Sequence, residues 1–219
     1  MNSPILQLRD NPQAFVAFVV AVIVAITVHE FSHAAVATLE GDRTPRSQGR
    51  LTLNPLAHLD VLGSIALLVA GFGWGKPVQF NPNWLRNRRV GAAMVGLAGP
   101  FSNFLLAVLS ALAVRLYLSS GRSPVDAAGN LTFALVLLVE LVSLNVVLGV
   151  FNLLPIPPLD GSRLLSMLLP PNRQQLVYFL DQYGIFILIA IVFLAPNLLS
   201  PFFRSIQSGI YHLVGLPTA

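Results

Sequence analysis

The chain has 219 residues, of which 55% are hydrophobic and only 10% charged, with a mean hydropathy of +0.73. Soluble domains carry about 25% charged residues, so the composition excludes an ordinary soluble globular protein and points to an all-α polytopic membrane protein. The net charge of +4 does not imply a nucleic-acid partner, because the basic residues sit in short segments flanking apolar runs, and the lack of cysteine excludes disulfides and thiolate metal sites.

The first apolar run, residues 13–38, is long enough to span a bilayer and ends in His29-Glu30-Phe31-Ser32-His33. Residues four apart share a helix face, so His29 and His33 can present two imidazoles to one metal ion with Glu30 beside them. The same groups bonded only to one another would be a costly alternative, since one ionised side chain at that depth costs at least ~2.5 kcal/mol; a bound cation compensates. The run lacks a small-residue cleavage site, and cleavage would remove the histidines, so it is not read as a leader peptide.

Residues 41–83 are rich in Pro and Gly. Thr52, Val78 and Phe80 lie in stretches that suit a short β-hairpin, and Asn54-Pro55 precedes His58-Leu59-Asp60. The apolar run 61–72 is too short for a full crossing and suits a re-entrant segment. Three further spans are expected at 91–117, 131–154 and 176–200, followed by a tail, 201–219, with an amphipathic stretch at Ile206–Val214. The whole chain, 1–219, reads as one membrane-embedded domain.

If 61–72 does not cross, Arg43, Arg46, Arg50, Lys76, Arg86, Arg88, Arg89, Arg163 and Arg173 share one side of the membrane, against Arg9, Arg115, Arg122 and Arg204 on the other. That asymmetry places the basic loops in the cytoplasm. It also makes the first and third spans parallel, so the His pair and the loop after residue 154 approach the same face.

Catalytic zinc takes three protein ligands and keeps a fourth position open, so two histidines need a partner. Asp160 is the choice: in Asn152-Leu153-Leu154-Pro155-Ile156-Pro157-Pro158-Leu159-Asp160-Gly161, three prolines end the helix and fix a carboxylate near the cytoplasmic rim. Asp60, Glu140 and Asp181 are weaker competitors. His58 is the serious rival, as ligand, lid or supporting group. Asn103 shares a helix face with Gly96 and Gly99, where another backbone can approach closely, by a substrate strand or a neighbouring helix. Asn145 and Asn152 lie two turns apart on one face; helix–helix bonding suits Asn145, and contact with an unwound peptide suits Asn152.

The set His29-Glu30-Phe31-Ser32-His33, Asn54-Pro55 with His58, Gly99-Pro100-Phe101-Ser102-Asn103 and Asn152 through Gly161, in this order, resembles the site-2 proteases, membrane-embedded zinc metalloproteases that cut transmembrane substrates. The resemblance implies one Zn2+ on His29, His33 and Asp160, Glu30 as general base, and Asn103 and Asn152 lining the site against the substrate backbone. His58 joins them as a candidate substrate contact. It looks like the compact form, and the chain lacks the length for the peptide-binding or nucleotide-sensing domains of some members.

The function expected is intramembrane endoproteolysis of a transmembrane protein or peptide, in a lipid bilayer, with the active site near the cytoplasmic face of a bacterial cell membrane. Two rivals use the same ligands: a divalent-metal transporter, which needs polar groups strung across the membrane, and a metal-binding adaptor that cuts nothing. Oligomeric state is not legible.

Overall fold

The computed structural model describes residues 4–71, 73–170 and 173–194, with Pro201, Ser205, Ser208 and Gly209. The described residues are helical: α1 (Pro4–Asp10), α2 (Pro12–Leu39), α3 (Thr44–Ser47), α4 (Val61–Ala70), α5 (Arg88–Ser119), α6 (Phe133–Asn152), α7 (Gly161–Leu168) and α8 (Gln174–Leu194). Three of them, α2, α5 and α6, are long and apolar enough to cross a membrane. They pack on one another as the core of the molecule.

Local chemistry sets their ends. The Asn11 side chain accepts from the Ala14 amide and Pro12 opens α2, while Asn87 caps α5 by accepting from the amides of Arg89 and Val90. Small residues allow close approach: Ala17, Ala21, Ala25, Ala34 and Ala37 of α2 have no accessible surface. Between α5 and α6, Ala111, Val114, Leu135 and Val142 form an apolar cluster. The opposite stripe of α5, Phe101, Leu105, Val108, Leu112 and Leu116, is exposed, as a lipid-facing surface requires.

Helix α4 has ten residues, about 15 Å at 1.5 Å per residue, half of a hydrocarbon core. Asp60 caps it by accepting from the Gly63 amide, and Gly71 ends it at a φ of +74°. The fourth expected span is not established: α8 has only a shorter apolar stretch, Gln175–Ile191, and residues 195–200 lie outside the described residues, as does the expected amphipathic stretch 206–214 apart from Ser208 and Gly209.

The expected β-hairpin is absent among the described residues, where Thr52, Val78 and Phe80 belong to no strand and the only pairing nearby is a single Leu59–Gly75 bridge. The reason is local. Backbone amides that a partner strand would satisfy are taken by side chains of the α2 region: Val78 donates to Glu30 Oε2 at 3.0 Å and Asn81 to Asp42 Oδ2 at 2.6 Å. Asp42 is fully buried and also accepts from the Thr44 amide and hydroxyl. Arg50 bonds the carbonyls of Ala57 and Lys76, which ties the two arms of this loop together.

Candidate metal centre

His29 and His33 lie on the buried face of α2, one turn apart, and their Nε2 atoms are 3.0 Å from each other. Asp160 arrives from the loop after α6. Its Oδ2 is 3.1 Å from His29 Nε2 and 3.2 Å from His33 Nε2, so three ligating atoms form a nearly equilateral triangle. Three prolines and the start of α7 set that loop, and Gly161 packs on the Leu153 and Leu154 carbonyls more closely than a β-carbon would allow.

Both outer imidazole nitrogens are committed. The Leu141 carbonyl accepts from Asn145 Nδ2 at 2.8 Å, so Asn145 Oδ1 is the acceptor for Asn103 Nδ2 at 2.7 Å. Asn103 Oδ1 then accepts from His29 Nδ1 at 2.6 Å. Likewise the Val95 carbonyl accepts from His33 Nδ1 at 2.6 Å. Bonds of this kind fix the tautomer of each ring and turn both Nε2 lone pairs toward Asp160.

Three electron-rich atoms about 3 Å apart with no hydrogen between them repel, unless positive charge lies at the centre. Zinc bonded at about 2.0–2.1 Å in a tetrahedral set holds neighbouring ligand atoms about 3.3–3.4 Å apart, close to the spacing here, and imidazole and carboxylate are its ordinary donors. The residues therefore fit the ion.

Glycines make room for this arrangement. A β-carbon on Gly99 would lie 2.5 Å from His29 Cε1 and from His33 Nε2, and one on Gly96 would lie 3.0 Å from the Asp160 carbonyl and the Arg163 side chain. The small-residue face of α5 is thus filled by the centre itself. Pro100 adds to this by having no N–H to offer the carbonyl of Gly96 one turn earlier.

The other expected site residues are placed differently. Glu30 follows His29 on α2, and its Oε2 accepts from the Val78 amide. Asn103 is completely buried beneath His29, so in this conformation it supports a ring and has no surface for a substrate. His58 is also fully buried, outside the triangle, with Nε2 bonded to the Thr52 carbonyl and Nδ1 without a partner among the described residues. Asn152 is half-buried and donates to the Leu148 carbonyl of its own helix. Of the competitors for the third position, Asp60 caps α4 and Asp181 lines a separate cavity.

The profile of peptidase family M50 matches residues 17–195. The chain belongs to that family. The match takes in both histidines and Asp160, and it agrees with the resemblance to site-2 proteases. Two relatives carry the name "Putative zinc metalloprotease": YwhC of Bacillus subtilis, 41% identical over 81% of this chain and 80% of its own, and Rip2 of Mycolicibacterium smegmatis, 31% identical over 87% of this chain and 71% of its own. No solved structure matches the chain.

The Asn145–Asn103–His29 chain of bonds was not legible as such, although Asn103 one turn after Gly99 on the same face marks that stretch of α5 as packed against something polar. Replacing Asn103 with Leu is expected to weaken zinc affinity about 10–100-fold, the usual effect of removing the group that orients a ligating histidine. Competition with a chromogenic chelator measures it, and unchanged affinity in a folded N103L protein would remove Asn103 from the centre.

Proposed function

We propose that this M50 peptidase is an intramembrane zinc endopeptidase that hydrolyses peptide bonds of transmembrane substrates, with His29, His33 and Asp160 as ligands and Glu30 as general base. The observation that carries the reading is the convergence of two Nε2 atoms and one carboxylate oxygen, contributed by α2 and by a loop 127 residues further along the chain from His33 to Asp160, onto one point. A zinc ion held there supplies Lewis acidity, polarising a peptide carbonyl and bringing the pKa of water to about 7.

The rest falls to the chain. The Val78 amide holds Glu30 Oε2, while Oε1 has no hydrogen-bond partner among the described residues and can take a proton from the attacking water and return it to the departing amine. Gly75, whose β-carbon would lie 3.8 Å from Oε1, keeps the neighbouring backbone bare. Asn103 and the Val95 carbonyl hold the imidazoles in register.

A substrate helix has to unwind first, because its carbonyls are bonded within the helix. With the Val78 amide held by Glu30, the exposed backbone at Gln79 is the part of this segment open to such a peptide by strand addition. Asn152 donates to the Leu148 carbonyl of its own helix and His58 is fully buried, so a substrate would engage either only after local movement. We assign α8 with residues up to 200 as a fourth crossing, residues 1–219 as one domain, and the centre to the cytoplasmic side of a bacterial membrane, following the basic loops.

The concentration of ligands at one end of α2 disfavours a transport path, which needs groups along the whole span. Purified protein in proteoliposomes tests the reading. Stripping divalent metal with a chelator should abolish cleavage of a membrane-spanning peptide and stoichiometric zinc should restore it; zinc flux without any cleavage product would instead favour the transporter.

A further inference from the structure

A second polar feature lies on the far side of the Asp160 loop. A cavity of about 530 Å³ opens between the start of α5, the Pro157-Pro158 turn, α7 and α8, and its wall includes Arg88, Arg89, Arg163 and Asp181. Three guanidinium groups face one carboxylate, a balance that excludes a cation as the occupant. Arg89 is already committed, bonding the carbonyls of Ser166 and Leu169. Arg163 is exposed, its guanidinium carbon sits over the Phe80 ring 4.4 Å from the centroid, and its donors make neither a hydrogen bond nor an ion pair among the described residues. Arg88 is exposed and equally unengaged among those residues.

Depth selects the anion. Arg88 is the first residue of a helix long and apolar enough to cross the bilayer, and exposed Trp84 lies four residues before it, so the mouth of the cavity stands where lipid headgroups stand. Guanidinium forks match phosphate oxygens in pairs, and basic pockets between membrane helices suit phosphorylated headgroups. A substrate carboxylate is disfavoured, since the cytoplasmic flank of a membrane helix carries an excess of Lys and Arg.

We propose that this cavity is a binding site for the headgroup phosphate of an anionic phospholipid, held by Arg88 and Arg163. The site is distinct from the metal centre, and its test does not depend on catalysis. Native mass spectrometry of the detergent-solubilised chain would count phosphatidylglycerol retained against phosphatidylcholine. Phosphatidylglycerol should be retained at least tenfold better, and inorganic phosphate at millimolar concentration should not displace it, because the acyl chains anchor the lipid.

Each of R88Q and R163K should lower retention about tenfold while zinc content stays stoichiometric; R163K keeps the charge and loses the fork. The control variant R43Q/R46Q, which removes two exposed charges at α3, one more than R88Q, should retain the lipid as the native chain does. Equal retention of the two lipids, or equal losses in R43Q/R46Q, would reduce the effect to general charge attraction and overturn the proposal. So would free phosphate binding without phosphatidylglycerol, or an R88Q protein that keeps its lipid and loses only a peptide with an acidic flank.

Discussion

Exchanging Asp160 for Asn should lower zinc affinity on the order of a thousandfold. Zinc binding of about 10–16 kcal/mol divided among three protein ligands gives about 4 kcal/mol for one, which corresponds to roughly three powers of ten. The amide keeps the shape and loses the charge that the two Nε2 lone pairs, 3.1 and 3.2 Å away, share with the cation. Stability should change little for a separate reason. Asp160 stands at the cap position of α7 without bonding any α7 amide through its side chain, so Asn removes no cap. Metal analysis of purified D160N protein, with chelator competition, reads the first effect and a thermal melt in the presence of chelator reads the second. Zinc retained within tenfold of the native value would mean that another group completes the set.

The Glu30→Gln protein should behave in the opposite way, keeping its zinc within a few-fold and losing cleavage by roughly 10²–10⁴-fold, the range general acid–base catalysis contributes. Gln can still accept from the Val78 amide, so the loop over the centre keeps its tether. What disappears is the ability to take a proton. Single-turnover cleavage of a membrane-spanning peptide in liposomes, paired with metal content, separates the two properties. Cleavage at the native rate would transfer the role of base to another residue, and loss of zinc together with activity would make Glu30 a group that shapes the centre.

The contrast between these variants follows the contrast in what could be read from residue order. His29 and His33 at helical spacing, and a carboxylate fixed after three prolines, are statements about covalent geometry and periodicity, and these survive folding almost unchanged. The spans at α2, α5 and α6 were legible because a bilayer imposes one length on every crossing. The hairpin was misjudged since Val78 and Asn81 direct their amides to Glu30 and Asp42, partners 48 and 39 residues distant, which no local alternation encodes. The asparagines were ambiguous for a related reason. A polar residue on a small-residue face suits a groove or a packed interior equally well, and the bond between His29 and Asn103 joins residues 74 apart, which no local pattern encodes. The Val95 carbonyl that orients His33 belongs to a residue whose side chain carries no chemistry at all.

Gly99 has a consequence for how readily the centre could evolve. A metal becomes purely architectural when a fourth protein group closes its coordination, and reactive when that position stays available. Helix α5 runs against both imidazoles and is the obvious donor of such a group, yet position 99 tolerates no side chain: even alanine would press on the two rings at 2.5 Å. Substitution there displaces the ligands before it can add to them, so backbone shape guards the reactive character of this protein against the simplest mutational route to an inert one.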